Sequence, residues 1–470
     1  MKTIILLCLI AVNSLLFSAT FTVTNLNDSG AGSLRQAISD ANINSEADII
    51  NFQSGLSGTI DVESYMDITE ELTINGPGAN AIILDADTIT NIFYVDAPNC
   101  TINRLTFIDA FSYLYGGAVY INAENTTINE CIFTNCWANL AGGAIAVLDH
   151  FTTISNCSFT SCLANLGSAV LVIGGSTNTI ENCTFYDNEA LNTGGAIFVL
   201  SGNLSVTNCT IFENTAGVDA GGIYLDAGVN ISLKNSIVAG NTASSNPDIF
   251  NEGTIISDGY NIISDTTGAN LAGDISTNSV NISPAFSAYN ISGGNVPTLK
   301  PTITNPAIDF VGNSGNGAPT ADARGFSRIG KPDCGAYEYS LSISTKEISN
   351  IVSNKAESGG IIDAAPADPD FTSINQKGIV WSSSPQPELT INESGKTEEG
   401  VGEVSFNSTM TDLAAEGQYF VRAYATNSDG TLYGEEYAFT TIPTLPEWGM
   451  IIFGVLTAGL GGFYIFKRYV

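Results

Sequence analysis

The chain has 470 residues, of which only 13% are charged, and its 15 basic against 47 acidic side chains give a formal net charge of −32. Phosphate binding needs a basic face and none is visible, so nucleic acid is excluded as a partner class. The length exceeds one ordinary domain, so two or three modules are expected.

Met1–Ala19 opens with Lys2, continues through apolar runs at Ile4–Val12 and Leu15–Phe17, and ends on small residues. It reads as a secretory signal peptide (1–19), to be handled by the secretion machinery. Phe21–Thr24 alternates like a first strand. Ser33 and Gln36 are spaced as a capping box, and Leu34, Ala37, Ile38 and Ala41 make a helical stripe. A short amphipathic helix there would cover an otherwise open strand edge.

Less regular strands fill 52–104, and then the text repeats. Cys131, Cys157, Cys183 and Cys209 stand 26 residues apart, with Leu105 above the column and Ser236 one residue late below it. Small pairs keep step at Gly116–Gly117, Gly142–Gly143, Gly167–Ser168, Gly194–Gly195 and Gly221–Gly222. A constant period signals units that bury their apolar faces by stacking on neighbours. Alternating apolar residues between turn signals make those units strands. Asn188, Asn214 and Asn241 share one corner, with Cys136 and Cys162 in the same column above them. In parallel coils about 4.8 Å apart, such side chains would form an asparagine ladder. The cysteine columns read as small apolar residues. Stacked positions are also near enough for a bridge such as Cys131–Cys157, and both readings stay open. Cys100 and Cys334 have no evident partner.

The architecture read from this pattern is all-β: a right-handed parallel β-helix over 20–340 with an N-terminal helical cap. The repeat text resembles that of pectin-lyase-like surface proteins, and the Gly32–Ile38 opening resembles their caps. Asp322, Arg324, Gly325, Arg328, Gly330, Cys334, Gly335, Ala336, Tyr337 and Glu338 resemble the closing motif of the choice-of-anchor Q family. An ion-pair network stapling the last coil is expected there. Residues 341–441 lose the period and alternate like a small β-sandwich. Gly417–Asn427 resembles a late strand of fibronectin type III-like modules, which implies a spacer or binding role. Ile442, Pro443, Thr444, Leu445, Trp448 and Gly449 precede an uncharged stretch and then Lys467 and Arg468 as a basic membrane flank. Segment 442–470 is therefore expected to form a C-terminal transmembrane helix. It resembles the IPTL-CTERM sorting signal, which implies an exosortase-type protease as partner.

Chemistry is sparsely written. Between Cys100 and Phe250 the only basic residues are Arg104 and Lys234, and the single histidine is His150. That is poor material for a lyase, which abstracts a proton with a base. One column survives: Asp109, Asn135, Ser161, Asp187 and Glu213 at 26-residue spacing, which places Asp187 beside Glu213. Paired carboxylates can hydrolyse glycosides or clamp calcium, so these two are the catalytic candidates and calcium the one metal considered. No cofactor is required. The expectation is an exported protein of the cell surface or envelope, adhesive or structural, with a polysaccharide or surface glycan on its β-helix face. The alternative is a polysaccharide-degrading enzyme, a glycoside hydrolase or lyase of the pectin-lyase-like class.

Overall fold

A computed structural model describes residues 18–443 apart from 292–293, 303–304, 313–314, 329–330, 340, 364–373, 390–394, 402–403 and 428–429. The chain divides into two compact units, 1–301 with 305–338, and 302–304 with 339–470. The first is an all-β right-handed solenoid of about nine turns. Its parallel strands build three sheets of seventeen, ten and five strands among the described residues.

Pairing follows the sequence period. Val119 faces Ile145, Phe133 faces Phe159 and Phe111 faces Trp137, each 26 residues on. Because every coil repeats its predecessor, like side chains stack inside. Phe107, Phe133, Phe159 and Phe185 form a buried column with ring centroids 4.7, 4.9 and 4.7 Å apart and planes within 6°. Burial of each ring contributes about 1.5–3 kcal/mol, with stacking adding to that.

The asparagine ladder is present. Asn188 Nδ2 donates to Asn214 Oδ1 at 2.8 Å and Asn214 Nδ2 to Asn241 Oδ1 at 2.9 Å. The same acceptors take the backbone N–H groups of Asn188 and Asn214, and Asp248 Oδ1 ends the row by accepting from Asn241. Each amide also donates one coil back, Asn188 to Phe159 O and Asn214 to Phe185 O, both at 3.1 Å. Cys136 and Cys162 continue this column and make the analogous bond, Sγ to Phe107 O and to Phe133 O. The other cysteine column behaves alike: Cys131, Cys157, Cys183 and Cys209 each donate to a carbonyl one coil back. All eight described cysteines are free and buried. Burial pushes the Cys131, Cys136 and Cys183 thiols well up, so they stay protonated and unreactive.

The paired small residues mark a close approach. A Cβ on Gly117 would sit 2.0 Å from Gly143 O. Ser168 is tolerated in that column because its hydroxyl donates to Gly195 O.

At the N-terminal end the helix Leu34–Ala41 buries Leu34, Ala37, Ile38 and Ala41 against the first strands. Ser33 Oγ accepts from Gln36 N at 3.2 Å, but Gln36 Nε2 turns to Asp40 Oδ1 instead of closing the box. Half of the expected capping box therefore forms.

The described residues of 286–301 and 305–338 fold back as a strap along the outside of the ten-stranded sheet. Tyr289 stacks on Tyr186 at 5.1 Å and shares a hydrogen bond with Ser158 Oγ. Asn295 reaches Glu130, Asn182 donates to Ala321 O, and the Ala336 N–H donates to Thr210 Oγ1. This cover buries Ser158, Thr184 and Thr210, which face away from the solenoid core. The strap is internally fastened by fully buried ions. Arg324 Nε lies 2.8 Å from Asp322 Oδ2, with its guanidinium 3.6 Å from the Tyr337 ring centroid. Arg328 pairs with Glu338 at 3.1 Å and reaches Asn182 Oδ1. The closing motif thus carries its expected ion pairs, but it staples the strap to the flank of the solenoid. Gly330 lies outside the described residues.

The second unit consists of two antiparallel sheets. Ser342–Thr345, Ala356–Asp363 and Ser405–Met410 form one. Gln376–Ser382 and Gln418–Asn427 are the centre of the other. Trp381, Phe406, Met410, Val421 and Phe439 are buried between strands of this unit.

One expectation is corrected. Among the described residues no helix is long and apolar enough to cross a membrane. The fold class is an all-β solenoid, with no support for a C-terminal transmembrane helix. Residues 1–17 of the signal peptide, Thr444, Leu445, Trp448, Gly449, Lys467 and Arg468 lie outside the described residues.

Replacing Asn214 by Ala removes the acceptor used by two buried donors of Asn188. It should lower unfolding free energy by about 2–4 kcal/mol, while exposed Asn139→Ala should stay within about 0.5 kcal/mol; urea unfolding of both variants checks this. Removing Arg324 (Arg324→Ala) strands a buried Asp322 carboxylate and should cost about 3–5 kcal/mol in the same assay.

Candidate functional site

Where the five-stranded sheet meets the long sheet, an open cleft of about 390 Å³ is lined by Ile89, Thr90, Asn91, Tyr94, Phe111, Ser112, Tyr113, Leu114, Tyr115 and Tyr120. Strand alternation supplies two of its walls. In Phe93–Val95 and Val119–Ile121 the flanking residues point inward and are buried, which turns Tyr94 and Tyr120 outward. Their rings stack at 4.5 Å. The opposite wall comes from Phe111–Ser112 and the turn after it, where Leu114 N donates to Ser112 Oγ. Phe111 meets Tyr113 edge-on at 4.8 Å and Trp137 at 5.1 Å.

The rims are unusually apolar for a surface. Tyr113 is 76% exposed, Leu114 61% and Ile89 62%. Scattered exposed apolar residues mean little, whereas a contiguous group around a cavity marks a binding surface. Burial, and then the neighbouring Tyr94, pushes the Tyr120 phenol up to about 12, so it keeps its proton near neutrality. The cleft offers aromatic faces and phenolic hydroxyls, the combination that packs on apolar ring faces while answering hydroxyl groups. Its lining holds no Lys, Arg, His, Cys, Asp or Glu. It is equipped to bind through ring faces and phenolic hydroxyls.

A second pocket of about 340 Å³ adjoins it and shares Ile89. Asp61, Glu63, Asp85 and Asp87 line it, and Asp61 and Asp85 are paired across neighbouring strands. Among the described residues no group of three or more His, Cys, Asp or Glu side chains is placed to hold a metal ion.

Asp187 and Glu213 line neither pocket. Tyr186 pairs with Phe212, which sets the two carboxylate residues side by side on successive coils as the spacing requires. Both are exposed. Their whole column has left-handed backbone: φ is 50° at Asp109, 53° at Asn135 and Ser161, 56° at Asp187 and 54° at Glu213. Asn and Asp tolerate that conformation best among residues with a Cβ. The turn geometry therefore accounts for Asp109, Asn135 and Asp187, whereas Glu213 and Ser161 are not favoured by it. Asn135 Nδ2 bonds Asp109 Oδ1, and Ser161 Oγ donates to Asp187 Oδ2 at 3.4 Å. Tyr186 beside them has its phenol pushed up by burial first and then by Glu213 and Asp187. His150 accepts from Gly175 N at Nδ1, 3.0 Å, and its Nε2 lies 3.5 Å from Asp149.

The aromatic cleft escaped the sequence reading. Its signal was the run Phe111-Ser-Tyr-Leu-Tyr115, which sits between two repeat columns and matches neither. The turn argument yields a stability test. Asp187→Asn should be neutral within about 0.5 kcal/mol, and Glu213→Asn should stabilise by a few tenths to about 1 kcal/mol; thermal unfolding measures both.

Comparison with family models agrees with the solenoid. Residues 90–296 match the family described as "Right handed beta helix region". No curated protein matches the chain. Among solved structures, the sensor domain of the anti-sigma factor RsgI4 from Pseudobacteroides cellulosolvens matches at 13% identity. That match covers 22% of this chain and 96% of its own, with a TM-score of 0.18. The chain therefore contains a right-handed β-helix region, a fold found both in pectin-lyase-like enzymes and in surface proteins.

Proposed function

We propose that this chain is an exported surface protein whose β-helix binds a glycan through the aromatic cleft between Ile89 and Tyr120. The observation that carries this reading is the cleft itself: about 390 Å³, walled by five aromatic rings and open to solvent. Export and display belong to the same proposal. The basic-then-apolar N-terminus supports the first, and the resemblance of 442–449 to a sorting signal read by an exosortase-type protease supports the second. The two-sheet unit after Glu338 would act as a spacer.

The rival is hydrolysis at Asp187 and Glu213. One observation favours it: two exposed carboxylates on adjacent coils, spaced about as the strands are at 4.8 Å, near the separation used by retaining glycosidases. The test incubates purified protein with neutral and acidic polysaccharides and follows retention together with new reducing ends. The expected result is retention without cleavage. It should weaken at least about tenfold in Tyr113→Ala and be unchanged in Asp187→Asn and Glu213→Gln. Cleavage that disappears in the carboxylate variants would replace binding with hydrolysis as the function.

A further inference from the structure

The cleft does not end at Tyr113. The five-stranded sheet runs away from it along the solenoid axis. Its register stacks Phe111, Trp137 and Leu163 on successive coils. The next residues along the strands, Ala138 and Ala164, are buried, which turns Trp137 and Leu163 outward. Trp137 is 39% exposed, and the position that follows Leu163 in the row is the exposed Glu189, with Leu191 near it 60% exposed. The strap described above covers the ten-stranded sheet, not this one. The result is an apolar row of three side chains, Phe111, Trp137 and Leu163, one per coil and about 4.8 Å apart, leading out of the aromatic cleft to the carboxylate of Glu189.

We propose that this row is a track for one linear, non-anionic glycan, lying along the solenoid axis with one end seated in the cleft. The inference rests on the cleft being a glycan site and adds the length, direction and charge class of the occupant. Three observations select that occupant. The cleft has the volume of a small ligand, whereas the row that continues from it is narrow and extends over at least three coils, which suits a chain better than a compact molecule. The row is spaced by the strand repeat, so sugars added along the first three coils meet Phe111, Trp137 and Leu163 in turn, and the next meets Glu189. The charge is complementary to neutral or amino-bearing sugars and opposed to uronates. No Lys or Arg lines the cleft, four carboxylates line the pocket beyond Ile89, and the chain carries a net charge of −32. Such a surface repels a polyanion approaching it.

The experiment titrates the full protein with chito-oligosaccharides from dimer to hexamer, their de-N-acetylated counterparts and oligogalacturonates, using calorimetry. Affinity should rise with length by at least about tenfold from dimer to hexamer. Trp137→Ala should abolish that rise, weakening the hexamer more than the dimer, and Tyr113→Ala should weaken every length. Thermal unfolding of the variants confirms that each is folded. A hexamer bound no more tightly than a dimer, or unaffected by Trp137→Ala, would overturn the track while leaving the cleft standing. Oligogalacturonates bound more tightly than the neutral series would overturn the charge class. Absence of binding at every length in the unaltered protein would overturn the cleft as a glycan site and the track with it.

Discussion

Everything in the solenoid depends on the in-register parallel hydrogen bonding of one coil to the next. Once Phe133 is paired with Phe159 and Ile128 with Ile154, each side chain meets its own kind on the coils before and after. A residue type that stacks badly on itself is penalised at every coil, and one that stacks well is rewarded many times over. The phenylalanine, asparagine and cysteine columns are three answers to that constraint. Phenylalanine stacks by its ring faces. Asparagine uses one amide as both donor and acceptor, so a row of them satisfies itself and its turn. Cysteine fills the same volume with a weak donor aimed at a carbonyl.

The same constraint explains what could be read in the sequence. Same-phase contacts leave a period, so the 26-residue repeat, the asparagine ladder and the close-packed glycine column were all visible. The capping helix was visible through its own shorter period. The strap was not. Its contacts join Asn295 to Glu130 and Ala336 to Thr210, across sequence distances at which no local pattern survives. The ion pairs of the closing motif were legible as charges, but nothing local said which surface they would fasten.

The candidate site divides in the same way. The carboxylate column was conspicuous because it is periodic, and its periodicity has a backbone cause: a left-handed turn that Asp and Asn accept at modest cost. The aromatic cleft is assembled from an irregular run, Phe111–Tyr115, and from outward positions of two strands that belong to another sheet. It keeps the 26-residue register, with Phe111 over Trp137 and Tyr94 over Tyr120, but not the residue types of the later coils, and a reading guided by recurring residues passes over it. In a solenoid, the coil that departs from its neighbours is the more informative place to look for binding, since uniform columns are already explained by stacking.

The strap also decides how the first unit would respond to tension. A pull entering at Glu338 meets the strap before it meets any coil, because the strap is the last part of that unit in sequence. Its attachments to Thr210, Asn182 and Glu130 lie on separate coils, so they would yield one after another and pay out slack chain between events. The internal ladders, shared among all neighbours, would remain intact meanwhile. A protein held at one end and bound at its flank would thereby carry its own extensible tether, absorbing a sudden load as stepwise lengthening before the solenoid unwinds.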